Sequence, residues 1–185
     1  MGRRALKGHS LPQPSPEAPL YLPVTRRALV HTLAALNMSV SEAAMDRLMG
    51  AWNRPVPFPD AKPALQKLKG FSRVILSNGD EAMLSEGVAH SGLSPWLEDV
   101  LSVEPARHYK PHPQAYRQVL ARYGVPRGEV WFVSSNGWDA AGASSFGFRS
   151  IWVNRRSQVR ERLVAEPRKE VSNLVEAAEV IRAGV

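Results

Sequence analysis

The spacing of apolar residues changes along the chain, and its first part has the period of a helix. Leu29, Leu33 and Leu36 recur at helical intervals after Thr25, which is a suitable N-cap. A second helix with one apolar face is predicted to begin at Ser41. The two segments together predict a helical hairpin.

The later part of the chain alternates between short apolar runs and helical periods. The segment 54–60 contains three prolines, which are incompatible with regular structure, so we predict a domain boundary there. Beyond it, strands are predicted at 73–76, 99–103, 129–134 and 150–153, and helices at 61–69, 81–91, 113–123 and 139–146. This order is typical of an α/β, Rossmann-like fold with a parallel sheet and right-handed crossovers.

Composition agrees with three regions of different character. Residues 1–19 are rich in proline and lack apolar periodicity, so we expect a disordered segment. Residues 20–54 form the predicted hairpin and 55–185 the α/β core, for which a hydrophobic share of 44% in 185 residues is ample. The chain has no cysteine, which excludes disulfides and thiolate sites. No apolar run suits a signal peptide or a membrane span, so we expect a cytoplasmic protein without a membrane partner.

The chain is basic, with a net charge of +7 and a pI near 10.1. A nucleic-acid partner is not expected, because the charge is scattered, apart from a dense spot at 155–162, and no groove-reading motif or aromatic platform accompanies it. A cationic surface also attracts small anions. The expected partner is therefore a small anionic substrate, such as a carboxylate.

Small polar residues follow the predicted strands. They are Ser77-Asn78-Gly79 after one strand, Lys110 in a later loop, and the run from Ser134 to Asp139 after another. The carboxyl ends of parallel strands form the ligand-binding edge of such a sheet, so these residues should converge. Each is weak evidence alone, because Ser-Asn-Gly is a common turn, loop lysines are usually exposed, and an aspartate at a helix start is usually a cap.

Five stretches carry a resemblance to a known family. They are 76–79 (LSNG), 109–113 (YKPHP) with Tyr116, 132–140 (FVSSNGWDA) with Gly142-Ala143, 146–148 (FGF) and 152–155 (WVNR). In order and spacing, over most of 21–180, the chain resembles the type II L-2-haloacid dehalogenases of the haloacid dehalogenase (HAD) superfamily. The Ser-Ser-Asn-x-Trp-Asp element distinguishes these enzymes from their phosphatase relatives.

The resemblance implies a HAD-like fold in which 20–54 is the remnant of a helical cap. It also implies hydrolysis of a carbon–halogen bond in a 2-haloalkanoic acid through an aspartyl-ester intermediate. Lys110 would keep the nucleophilic aspartate ionised, and Asp139 would orient or activate the hydrolytic water. The remaining implied roles are positioning by Tyr116, Ser134 and Asn136, and substrate binding by Ser77, Asn78 and Trp138.

The residues that follow the strand at 129–134 also indicate whether the site would bind a metal ion. The phosphatase branch needs Mg²⁺, which prefers several carboxylate oxygens, whereas this segment offers Asp139 alone, with Ser134 and Asn136 nearby. We therefore expect neither metal nor cofactor. A phosphate-ester substrate remains as an alternative with a clear signature, Mg²⁺-dependent phosphate release.

One family element has no counterpart in the sequence. The family begins with an apolar strand that runs into Asp-x-x-Gly-Thr, whose aspartate is the nucleophile. The chain has five aspartates, none in that context, and we do not expect Asp80, the nearest in the predicted fold, to substitute. We therefore expect a chain that is inactive by itself. It is either an N-terminally truncated reading of a dehalogenase or a non-catalytic module that binds carboxylates.

The same element would lie at the centre of the sheet in the family fold, between the strands at 74–76 and 130–133. We therefore predict a gap between two apolar edges, with low stability or association as its consequence. A homodimer is left open.

Overall fold

The computed structural model describes residues 21–163 and 165–184, so the predicted disordered segment 1–19 lies outside the described residues. The helices are α1 Tyr21–Ala35, α2 Glu42–Gly50, α3 Ala61–Lys67, α4 Glu81–Ser91, α5 Pro113–Tyr123, α6 Gly137–Phe146 and α7 Leu174–Ala183. The strands are β1 Val74–Ser77, β2 Asp99–Ser102, β3 Trp131–Ser134, β4 Arg149–Val153 and β5 Lys169–Val171. No helix in these two ranges is long and apolar enough to cross a membrane.

The predicted helical hairpin is formed by α1 and α2. The second helix was predicted to begin at Ser41, and α2 begins one residue later, at Glu42. Ser41 is its N-cap and accepts a hydrogen bond from Ala44 N at 3.3 Å. The prediction that Thr25 caps α1 is wrong, because α1 spans Tyr21–Ala35 and Thr25 lies in its second turn. There its hydroxyl donates to Tyr21 O at 3.0 Å, one turn back in the same helix. Arg26 joins the two helices through ion pairs with Glu42 and Asp46.

All strand pairs are parallel, but they form two sheets rather than one. β1 pairs with β2, and β3, β4 and β5 form a second sheet in that order. In the part of the chain that the structure describes, no strand lies between β1 and β3. The α/β architecture with parallel strands is confirmed, and the split falls at the predicted gap.

Two hydrophobic clusters lie on the two faces of β3, and the second also covers one face of β4. Tyr116, Ala143, Phe146 and Phe148 form the first, and Leu76 of β1 and Phe132 of β3 pack against it. This cluster therefore joins the two sheets although their strands are unpaired. The second cluster consists of Ile151, Val153, Ala177 and Ile181 and lies beneath α7. Burying one side chain of this kind contributes about 1.5–3 kcal/mol, so these faces hold the core together.

The sequence interpretation missed the last two elements. β5 has three residues, of which Lys169 and Glu170 are exposed, so it carries no apolar alternation that could be read. α7 does have an apolar face, formed by Ala177, Ala178 and Ile181. These residues recur at the spacing of a helix, so the sequence did contain a signal for α7.

Candidate active site

The carboxyl ends of β1 and β3 meet at the side chain of Lys110. This residue lies in the loop between β2 and α5, and its Nζ is 3.0 Å from Leu76 O on β1. The same Nζ is 2.8 Å from Asp139 Oδ2, in the first turn of α6 directly after β3. One ammonium group thus bridges the ends of both sheets. The predicted convergence of the strand ends takes place around it.

The main chain of Lys110 is held by Asn78. Asn78 Oδ1 accepts a hydrogen bond from Lys110 N at 2.8 Å, and Asn78 Nδ2 donates to Lys110 O at 3.4 Å. Because both amide atoms bind one residue of the opposite loop, the lysine is fixed relative to β1. Asn78 keeps a second amide proton that these two contacts do not use.

Asp139 is the centre of a network of buried hydrogen bonds. Its Oδ2 accepts from Lys110 Nζ and from Ser134 Oγ at 3.0 Å, and its Oδ1 accepts from Tyr116 Oη at 2.8 Å. Asn136, not Asp139, occupies the N-cap position of α6, so the aspartate is not a helix cap. A carboxylate offers about four acceptor positions. The three contacts leave about one for a water molecule or a substrate group.

Burial makes the charges in this network interdependent. Lys110 is 8% exposed and Asp139 2% exposed. Removing either charge from water costs several kcal/mol, which the close pair and its additional hydrogen bonds offset. The Lys110 ammonium also lies 5.2 Å from the centre of the Phe132 ring. The pair is therefore an internal, largely neutralised unit rather than a solvated surface contact.

Tyr116 is fully buried and acts as a hydrogen-bond donor. Burial raises the pKa of its phenol far above the usual value, and the adjacent Asp139 carboxylate raises it further. The phenol therefore keeps its proton at any physiological pH. The rings of Phe132, Phe146 and Phe148 surround it at centroid distances of 5.5, 5.6 and 5.9 Å. Tyr116 thus contacts both the aromatic core and the site.

Gly142 also shapes the site, although no role was predicted for it from the sequence. A Cβ on this residue would lie 2.7 Å from Tyr116 Oη and 2.6 Å from Pro111 Cβ. Both distances are shorter than carbon atoms tolerate, so only glycine lets α6 approach this closely. The signal in the sequence was its place in the matched pair Gly142-Ala143, three residues after Asp139.

The remaining predicted residues lie around this network. Ser77 Oγ accepts from Gly79 N at 3.1 Å and keeps its hydroxyl proton for another acceptor. Trp138 is partly buried and Asn136 is exposed. Among the described contacts, Lys110, Asp139, Ser134, Tyr116 and Asn78 form one connected set. Asn136 joins it through its main-chain N–H, which donates to Ser134 Oγ at 3.2 Å. The other two predicted residues, Ser77 and Trp138, are neighbours of that set in sequence.

The other four aspartates are bound elsewhere. Asp46 pairs with Arg26, Asp60 with Arg155, and Asp99 with Arg122. Asp80 Oδ1 accepts from Met83 N at 2.9 Å and so caps α4. Each carboxylate thus has a structural partner, which supports the expectation that Asp80 is not a nucleophile.

A separate cavity of about 350 Å³ adjoins α6. Gly137 and Ala141 line it together with Trp152 and residues of the loop 158–167. Gly137 and Ala141 are four residues apart and share one face of α6, whereas Asp139 and Gly142 occupy the opposite face. The cavity is therefore separate from the Lys110–Asp139 network.

Known proteins resemble this chain in both sequence and structure. It is 44% identical to the (S)-2-haloacid dehalogenase of Xanthobacter autotrophicus over 135 residues, which are 73% of this chain and 53% of that protein. It is 36% identical to (S)-2-haloacid dehalogenase H-109 of Pseudomonas putida over 157 residues, 84% of this chain and 70% of that protein. The chain thus spans little more than half the length of the first relative.

Solved structures agree with these sequence relatives. The L-2-haloacid dehalogenase of Xanthobacter autotrophicus with covalently bound chloropropionic acid superposes with a TM-score of 0.82 at 36% identity. The match covers 90% of this chain and 78% of that one. The family model for haloacid dehalogenase-like hydrolases matches residues 17–147. The chain therefore belongs to the haloacid dehalogenase-like hydrolase family.

Proposed function

We propose that the site around Lys110 serves the hydrolytic dehalogenation of small 2-haloalkanoic acids, with this chain supplying substrate-binding and positioning groups. The observation that carries the proposal is the buried network of Lys110, Asp139, Ser134 and Tyr116 at the carboxyl ends of β1 and β3. Its residue types and spacing are those of the dehalogenase motifs. The relatives at 36–44% identity that carry dehalogenase names support the substrate class.

The substrate carboxylate would be held at the end of β1. Ser77 has a hydroxyl proton and Asn78 has an amide proton beyond the contacts described above. Two such donors suit the two oxygens of a carboxylate. The partly buried indole of Trp138, in the first turn of α6, would contact the departing halide.

The reaction needs a carboxylate that attacks C2 of the substrate. An ester bond forms to C2, the carbon–halogen bond breaks, and the halogen leaves with its electron pair as halide. Water then cleaves the ester, which restores the carboxylate and releases a 2-hydroxy acid and a proton. Asp139, with about one acceptor position left, would orient that water together with Asn136.

None of the chain's five aspartates suits the role of nucleophile. Asp139 is occupied by three donors, and the other four are bound to arginines or to a helix N-terminus. We therefore expect this chain, tested by itself, to bind the substrate without turning it over. No cofactor or metal enters the proposed chemistry.

Calorimetric titration with (S)-2-chloropropionate tests the binding step, and a chloride assay on the same sample tests turnover. Saturable binding is expected, and Ser77→Ala should weaken it by a factor of about 10 to 150, since one charge-assisted hydrogen bond contributes about 1.5–3 kcal/mol. Ser85→Ala, on the exposed face of α4, is the matched control and should bind like the unaltered chain. Absence of saturable binding would contradict the proposal.

The alternatives give different results in the same samples. Binding of 2-chloropropionate and of the unreactive 2-hydroxy acid with equal affinity, without chloride release, would favour a non-catalytic carboxylate-binding module. This alternative is favoured by the engagement of every aspartate with a structural partner. Mg²⁺-dependent phosphate release from a phosphate monoester would favour the phosphatase alternative instead. Chloride release by this chain would show that one of its own carboxylates is the nucleophile.

A further inference from the structure

His112 closes the first turn of α5 with its imidazole ring. Gln114 N donates to His112 Nδ1 at 3.2 Å, and His112 has the main chain of an N-cap residue, with φ −63° and ψ 136°. The side chains that usually cap helices offer a hydroxyl, carboxylate or carboxamide oxygen. A ring nitrogen accepts only while it is unprotonated, because both nitrogens of the charged ring are donors. The start of α5 therefore depends on the protonation state of one histidine.

A second imidazole ring lies against the first. The ring centroids of His108 and His112 are 4.0 Å apart, and the ring planes are inclined by 82°. His108 Nδ1 lies 2.7 Å from Arg107 O, so this nitrogen carries a hydrogen and donates it to the carbonyl. A proton added to His108 leaves that bond in place, whereas a proton added to His112 Nδ1 removes the acceptor of Gln114 N. The two rings therefore respond differently to acid.

The surroundings of His112 favour its neutral form. Burial lowers the pKa of the ring below the usual value, and the neighbouring His108 lowers it further. The acidic groups at this end of the molecule lie near Tyr109 instead. Burial raises the pKa of that phenol, and the carboxylates of Glu104, in the turn before the loop, and Asp80, at the start of α4, raise it further. The partner that contacts the His112 ring is thus another base.

His112 lies between two residues of the Asp139 network. Lys110 is two residues before it and Tyr116 is one helical turn after it, and the side chains of both donate to the Asp139 carboxylate of α6. His112 N also donates to Tyr109 O at 2.9 Å, which closes the turn that contains Lys110. A movement of the first turn of α5 would therefore displace both donors relative to their shared acceptor.

We propose that His112 is an acid-sensitive cap, whose neutral ring holds the first turn of α5 and whose protonation releases that turn and loosens the Asp139 network. One proton adds to Nδ1, which turns the acceptor into a donor that faces the N–H of Gln114. The new charge also opposes the partial positive charge at the helix N-terminus. His112 is thus a positioning residue. Its role goes beyond the proposed function and does not depend on turnover of a haloacid.

The direction of the effect on stability follows from the lowered pKa of His112. Just below the usual histidine pKa of about 6.5, the unfolded chain binds a proton that the folded chain does not. The stabilisation by the cap is therefore complete above this pH. It is lost as the pH falls through the lower pKa of the folded state.

NMR of the full chain, with labelled histidine rings and main-chain amides, tests the proposal. At pH 7.5 we expect His112 Nδ1 to be unprotonated, and the ring should titrate with a midpoint below the usual histidine value. Below that midpoint, amide exchange at Gln114, corrected for the intrinsic effect of pH, should become about fivefold faster, which corresponds to the cap contribution of about 1 kcal/mol. Glu176 N, which donates to the uncharged Asn173 side chain at 2.9 Å, is the internal control.

A second signal and two variants separate the cap from other effects of pH. The Cζ signal of labelled Tyr116 should move during the same titration, because its hydroxyl binds Asp139. His112→Asn keeps an acceptor at the cap that cannot be protonated, so Gln114 and Tyr116 should no longer respond to pH. His90→Asn, at an exposed position in the last turn of α4, is the matched control and should respond like the unaltered chain.

A protonated His112 Nδ1 at pH 7.5, or unchanged exchange at Gln114 while the ring titrates, would overturn the proposal. So would a Tyr116 signal that stays in place, or one that moves equally in His112→Asn, since the network would then not follow the cap. The expected pH response in a chain that does not bind 2-chloropropionate would support the cap and count against the proposed function.

Discussion

Gly142 is a single residue whose lack of a side chain sets the geometry of the site. In Gly142→Ala the new methyl group would meet Tyr116 Oη and Pro111, so α6 or α5 must shift. Overpacking of this kind costs about 1–3 kcal/mol, and here it also stretches the hydrogen bond from Tyr116 to Asp139. Urea unfolding followed by circular dichroism measures the loss. Gly50→Ala has nothing within 4 Å of the new Cβ and is the control. Equal stability of the two variants would contradict the close contact.

Lys110 and Asp139 form a buried ion pair. Lys110→Met leaves Asp139 as an uncompensated buried carboxylate, which costs about 3–5 kcal/mol in the free energy of unfolding. Ser134→Ala removes one of three donors and should cost about 1–3 kcal/mol. Lys69→Met, at an exposed position, should stay within about 0.5 kcal/mol. Denaturant titration of the three variants should show losses in the free energy of unfolding in this order. A Lys110→Met loss no greater than that of Lys69→Met would show that the pair is solvated.

Among the elements, α4 depends on Asp80 for its first turn. The carboxylate caps the helix through Met83 N, so Asp80→Ala should lower the free energy of unfolding by about 1 kcal/mol. Asp80→Ser keeps a cap and should retain most of the stability. Binding of 2-chloropropionate, measured by calorimetry, should be the same in both variants. Loss of that binding in both would instead place Asp80 in the site.

Asp60 connects three elements, and its contribution depends on pH. Its carboxylate accepts from Arg155 after β4 and from Leu174 N at the start of α7, while Asp60 itself precedes α3. Burial alone would raise the pKa of Asp60, but these hydrogen bonds outweigh it and lower the pKa below the usual value. The stabilisation is therefore present above the unfolded-state pKa of about 3.9. It is lost as the pH falls through the lower pKa of the folded state.

The expected result is a pH-dependent difference between Asp60→Asn and the unaltered chain. At pH 7 the variant should be less stable by about 2 kcal/mol, the contribution of a charge-assisted hydrogen bond. Below pH 4 the difference should shrink as the native carboxylate is protonated. Urea unfolding at the two pH values measures it. A difference that does not change with pH would mean that shape rather than charge is what matters at Asp60.

The elements show what the sequence could and could not predict. α4 and α5 were placed to the residue, because each has an apolar period between a polar cap and a glycine. β5 could not be read, since its few residues are mostly exposed and only pairing with β4 makes them a strand. The predicted site residues came from matched motifs at strand ends. The link between Asn78 and the Lys110 main chain could not be foreseen, because it joins residues 32 positions apart with no local signal.

At the scale of the whole molecule, the division of the sheet decides how the chain behaves in solution. Ser77 O accepts from Val103 N on the β2 side and Val130 O accepts from Arg149 N on the β4 side. Because successive residues alternate in a parallel ladder, the main-chain groups of Val74, Leu76, Trp131 and Val133 point towards the gap between β1 and β3. Leu76 O is satisfied by Lys110. Each buried group without a partner costs about 1–3 kcal/mol, against a total stability of about 5–15 kcal/mol for ordinary proteins. The four residues are partly buried, so each of their groups that is cut off from water lowers the stability that the two clusters provide.

We therefore expect the chain to associate through these edges or to unfold over a broad transition. Sedimentation velocity across a range of concentrations should show an average mass that rises with concentration, since apolar free edges pair between molecules. Thermal unfolding should begin at low temperature and depend on concentration. A monomer that unfolds in one sharp, reversible transition would contradict this prediction. Such a result would mean that the cluster around Tyr116 holds the two sheets together without a strand between them.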